Sequence, residues 1–167
     1  MNKKDHILNG VLLAVGLGIV LHPAGDLKAL TTIVEVFVPV VLGTMLPDID
    51  TEFGRHRKTL HNVFVIAALY GYVVYFGNLE WVWVGALSHF LLDMVGSKRG
   101  LALFYPLWDR EFAFPFGVKT SSGYATIATV VITVLELAAL AAALYWVPTL
   151  IPSGIDVTNA TQAVSLL

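Results

Sequence analysis

Histidine and aspartate recur in this sequence at places where ring nitrogens and carboxylates can converge: His6, Asp48, Asp50, His56, His61, His89 and Asp93. A divalent ion needs several hard or borderline donors, and imidazole with carboxylate suits zinc, manganese or iron. There is no cysteine, which excludes disulfides, iron–sulfur clusters and thiolate zinc sites. His89 and Asp93 are four residues apart, so on a helix both project from one face. They interrupt the otherwise apolar run Val84 to Val95, where a carboxylate costs about 2.5–3.5 kcal/mol on insertion scales and by default marks function. An ion held by such residues acidifies bound water to a pKa near 7, and two ions about 3.5–4 Å apart clamp the attacking and leaving oxygens of a phosphoester. Seven donors suffice for one ion or two. Arg57 offers a phosphate oxygen its fork of donors, and Lys58 adds attraction for an anion. Plainer roles compete. Asp48 after Pro47 has the setting of a turn or cap residue, His61 that of an interfacial helix start, and Arg55, Arg57 and Lys58 that of topology-setting charges.

What must position these residues is a set of membrane helices. The 167 residues are 57% hydrophobic and 13% charged, against about 25% charged in a soluble domain. Five segments approach the roughly 20 apolar residues that a span requires: 6–22, 27–46, 60–77, 79–95 and 124–151. The fold class is therefore all-α, a polytopic membrane domain over 1–151 with a short external tail, 152–167. Met1 to Leu21 has the basic start and apolar run of a signal peptide, but no small-x-small cleavage site follows it, so it reads as a retained helix. With the N-terminus inside, Lys3, Lys4, Arg55, Arg57, Lys58, Lys98, Arg99, Arg110 and Lys119 all fall on the inner side and Lys28 alone outside, as the positive-inside rule asks. The same topology brings all seven candidate ligands to the cytoplasmic face. His22 lies opposite.

Three segments carry a resemblance: Leu42-Gly43-Thr44-Met45-Leu46-Pro47-Asp48-Ile49-Asp50, His56-Arg57-Lys58-Thr59-Leu60-His61-Asn62, and Ser88-His89-Phe90-Leu91-Leu92-Asp93. In order and spacing they resemble the YdjM-like family of inner-membrane proteins, assigned by inference as metal-dependent hydrolases and LexA-regulated in some members. Gly100 to Pro106 looks like that family's glycine-to-proline stretch, and His6 like its N-terminal histidine. The family is distantly similar to zinc-dependent phospholipase C and P1-type nucleases. The resemblance thus implies a hydrolase with clustered metal ions but names no substrate.

Taken together, these features lead us to expect a phosphoesterase with one or two divalent ions, zinc first, then manganese or iron. Asp50 or Asp93 would serve as general base, with Arg57 stabilising developing charge. A loop with Phe104, Tyr105, Trp108, Phe112, Phe114 and Phe116 is either an interfacial belt or a mouth for a lipid headgroup. Membrane lipids are the expected partners, with a phospholipid or isoprenoid phosphate as substrate. Nucleic-acid binding is not expected, since the basic residues are few and dispersed. Two other readings stay open. Glu35 and Glu136, near the middle of the second and fifth spans, suit a proton or cation relay, or neutral carboxyls bonded to Thr31, Thr32, Thr129 or Thr133. A non-catalytic metal-binding membrane subunit is the other.

Overall fold

The structure is a computed structural model that describes residues 1–96, 99–115, 117–119 and 122–150. Lys98, Phe116 and the expected external tail lie outside the described residues.

Local chemistry sets each helix's ends. The Asn2 side chain accepts from the Asp5 N–H and starts α1 (Lys3–Leu21), which stops before Pro23 and the left-handed Gly25. Asp26 caps α2 (Leu27–Met45) by accepting from Lys28 and Ala29. Asn62 does the same for α3 (Val63–Phe76) through Phe64 and Val65, and Gly77, at φ 64°, ends it. After α4 (Val82–Val95) the chain runs through a long loop to α5 (Ala125–Ala141). That helix continues through a π-helical turn at Ala142–Trp146 into Val147–Leu150. Pro148 lacks an N–H and crowds the preceding turn, and a widened turn accommodates it.

The described residues are helical with no strand, as the composition led us to expect; an isolated antiparallel bridge pairs Leu101 with Phe112. Three helices are long and apolar enough to cross a membrane: Lys3–Leu21, Leu27–Thr51 and Ala125–Thr149. The expected spans 60–77 and 79–95 contract to α3 and α4, 14 residues each. Each is about 21 Å long at 1.5 Å per residue, short of a hydrocarbon core of about 30 Å. Residues 60–62 are drawn out of the helix because Asp50 holds the Leu60 N–H and His61, and Asn62 becomes the cap.

α1 packs on α2 and α5, and α2 on α4. The core between them is Leu13, Ala14, Leu17, Val36 and Val40, with Trp81, Val84, Leu137 and Leu140 against it. α2 and α4 cross at Gly43 and Gly85, where an added Cβ on either would strike the other helix's backbone, Val82 O from Gly43 and Val40 O from Gly85. Close approach through small residues is how membrane helices gain contact without a hydrophobic driving force. It also brings Thr44, at the end of α2, against His89 of α4.

Candidate metal centre

Four pieces of backbone meet at one end of the bundle. α1 brings His6, and α4 brings His89 and Asp93. A 3-10 turn at Leu46–Thr51, started by Pro47, carries Asp48 and Asp50, and the loop 52–62 carries His56, Arg57 and His61. Segment 99–112 covers this loop. Ala102 N–H donates to the Arg57 carbonyl at 3.1 Å and Val63 N–H to the Leu103 carbonyl at 2.9 Å.

The donor set forms two groups, His6 with His89 and Asp93, and Asp48 with His56 and His61. Ion-pair distances join them. His61 Nε2 and His89 Nε2 are 3.0 Å apart. Asp48 Oδ1 is 3.8 Å from the first and 3.7 Å from the second, and Asp93 Oδ2 is 4.0 Å from each. Tetrahedral zinc with bonds near 2.0–2.1 Å requires donor separations of about 3.4 Å, and these five separations, 3.0–4.0 Å, bracket that value.

Hydrogen bonds fix which nitrogens face inward. His89 Nδ1 donates to the Thr44 carbonyl at 2.7 Å, an acceptor only. His61 Nδ1 donates to Asp50 Oδ2 at 2.9 Å. Burial pushes the His61 imidazole toward its neutral form, against the attraction of Asp50. With both Nδ1 hydrogens committed, two Nε2 lone pairs point at one another, an arrangement that asks for a shared cation.

Asp50, expected among the ligands and as a base, is fully buried with both oxygens engaged: Oδ1 with His56 Nδ1 at 3.0 Å, Oδ2 with His61 and with the Leu60 N–H at 3.2 Å. It orients two histidines. Arg57, expected at a phosphate, is buried at a backbone φ of 68°. Its guanidinium donates to the Arg99 carbonyl at 2.8 Å and pairs with Asp93 Oδ2 at 3.3 Å. His6 stacks on His89 with ring centroids 3.8 Å apart, and its Nε2 is 3.4 Å from Asp93 Oδ1. That is a close contact without hydrogen-bond alignment, and both His6 nitrogens are buried with no hydrogen-bond partner among the described residues. The Met1 ammonium also pairs with Asp93 Oδ1. Solvent reaches the set on the side of His56, 39% exposed, and Asp48, 17% exposed.

Sequence reasoning passed over several polar residues here. Asn9 and Ser88 bond each other at 2.8 Å and both reach Glu136, Ser88 at 2.7 Å and Asn9 at 3.3 Å. Glu136 therefore finds its partners in Ser88 and Asn9, while Thr133 bonds Asn9 at 2.9 Å. Their isolation within apolar helices was the available signal. Asp5 is buried too, with Oδ2 lacking a hydrogen-bond partner among the described residues. Glu35 is exposed on α2 and lines a cavity with Asn78 and Glu80 at the far end of the bundle. In the aromatic loop, Trp108 and Phe112 meet edge to face at 5.7 Å, and the Arg110 guanidinium lies 5.7 Å from both rings.

Comparison with curated proteins gave no significant match, and comparison with solved structures gave none either. The family model described as YdjM inner membrane protein matches residues 1–161, spanning every helix described above. The chain belongs to the YdjM inner membrane protein family.

Proposed function

We propose that the protein is a membrane-embedded metal-dependent hydrolase that cleaves a lipid-linked or membrane-proximal phosphoester at the cytoplasmic face. The observation that carries this reading is the convergence of His61 Nε2 and His89 Nε2 at 3.0 Å, with Asp48 and Asp93 within 4.0 Å of each. His61, His89, Asp48 and Asp93 would hold the ion, zinc by their nitrogen and oxygen chemistry, and His6 stands ready beside Asp93 for a second. Bound there, a divalent ion supplies Lewis acidity toward a phosphoryl oxygen and acidifies water to near neutrality.

The protein's own groups do the rest. Asp50 and the Thr44 carbonyl hold the two imidazoles with Nε2 inward, so little reorganises as charge develops. A phosphoester approaches from the open side, past Asp48 and His56. His56, with Nδ1 on Asp50, presents Nε2 for proton transfer to the leaving oxygen. Arg57 balances the Asp93 carboxylate, so its support of an anionic transition state is transmitted through that residue rather than by direct contact.

Elemental analysis of the detergent-purified protein beside His89→Ala and Asp93→Ala, each checked for intact folding, tests the reading. Stoichiometric zinc, manganese or iron, lost in both variants, is expected. A wild type that neither carries nor takes up metal overturns it.

A further inference from the structure

One large cavity stands apart from the donor set. α1, α4 and α5 enclose about 490 Å³ of space open on one side, walled by leucine, alanine and tryptophan side chains, with Ser88 and Glu136 as its polar members. Ser88 and Glu136 turn their hydrogen-bonding capacity on each other and on Asn9. Those two polar members are therefore engaged, the Trp83 Nε1 is buried without a hydrogen-bond partner among the described residues, and the rest of the wall is apolar.

Position and shape indicate what fills it. Along α4 the cavity extends from Leu91, at the depth between His89 and Asp93, to Trp81 at the far end. Ten residues of helix measure about 15 Å, half of a hydrocarbon core of about 30 Å and so the depth of one leaflet. An apolar groove one leaflet deep, open on one side and walled by apolar helices, suits a single hydrocarbon chain lying along it.

We infer that this groove holds one acyl chain of a membrane phospholipid whose phosphoester head reaches the donor set from the same side of the bilayer, which makes a glycerophospholipid the substrate class. The inference rests on the hydrolase reading for the head, and on the groove alone for the tail. The two shared walls, α4 and α1, carry both.

The test narrows the groove with Ala139→Leu and Ala143→Leu, two lining positions remote from the donors. Both proteins carry Trp108→Phe and Trp146→Phe, so that Trp81 and Trp83 alone report. In phosphatidylethanolamine–phosphatidylglycerol vesicles, dibrominated phosphatidylglycerol is expected to quench these tryptophans, and the narrowed protein to lose most of that quenching with its metal content unchanged. Hydrolysis of long-chain phosphatidylglycerol, relative to soluble p-nitrophenyl phosphate, is expected to fall about tenfold or more as chain contacts are lost. Equal quenching in both proteins overturns the inference. So does a dimer, seen by light scattering, that the narrowed protein no longer forms, since a second copy would then be the occupant. Loss of quenching with no hydrolysis of either ester leaves the tail site standing and overturns its role in a reaction. Absence of metal from the wild type overturns the hydrolase reading itself.

Discussion

Asp50 is the residue on which the arrangement of the site turns, although it faces away from the donor atoms. It holds His56 and His61 from behind and anchors the Leu60 N–H, as carboxylates behind metal-bound histidines do. Asp50→Ala is expected to weaken metal affinity about 10–100-fold without abolishing binding, whereas His61→Ala removes a donor and abolishes it; titration with zinc against a competing chelator separates the two. Glu136 offers a contrasting case. Its bonds to Ser88 and Asn9 are those of a structural cross-link between α5, α4 and α1. Glu136→Gln should therefore keep fold, metal content and any hydrolysis. Glu136→Leu should cost about 1–3 kcal/mol by leaving buried polar partners unsatisfied, read as a lower midpoint in thermal unfolding. A relay for ions would instead fail in the glutamine variant, measured as flux in proteoliposomes. The types of these residues were legible in the sequence, because His, Asp and Glu stand out against an apolar background. Their division of labour was not. Asp48 and Asp50 lie two apart on a 3-10 turn, where three residues complete a circle, so one faces the donors and the other backs them.

Between elements, the crossing of α2 and α4 decides whether His89 meets its carbonyl. Gly43 and Gly85 allow the backbones to touch, and Thr44 O reaches His89 Nδ1 as a result. Gly85→Val should push the helices apart, destabilise the protein by about 1–3 kcal/mol through overpacking, and weaken metal binding by freeing the His89 ring. A variant destabilised to the same degree at the exposed α3 would lack the second effect, which isothermal titration with zinc would reveal. Hydropathy made α1, α2 and α5 readable, since α1, α2 and α5 with its continuation to Thr149 are long and apolar enough to span. The hairpin helices were read too long because Leu60 and Leu79 extend the apolar run on either side. Asn62 directly before Val63-Phe64-Val65 was a cap signal that hydropathy alone overlooks. The bonds that lay segment 99–103 over Arg57 and Val63 join residues roughly forty apart, and no local pattern announces them.

At the scale of the whole molecule, the donors gather at one end and His22, Glu35 and Glu80 lie at the other. If the site end is cytoplasmic, Lys119 and Lys28 sit on opposite sides of the bilayer. The chain has no cysteine, so Lys119→Cys and Lys28→Cys each give a single reporter, and both positions are exposed. An impermeant maleimide added to spheroplasts should modify Lys28→Cys and reach Lys119→Cys only after lysis; the reverse pattern would turn the site outward. The order of the chain adds a further consequence. All seven candidate ligands precede residue 94, whereas α5 begins at Ala125 and packs on α1 and α4. Synthesis proceeds from the N-terminus and helices enter the bilayer in turn. The candidate donors have thus all been synthesised before the last span, and Asn9 and Ser88 gain Glu136 only when that span arrives. The final helix then works as a clasp on α1 and α4, away from the side of His56 and Asp48, so closing the bundle leaves the route by which an ion would be loaded open.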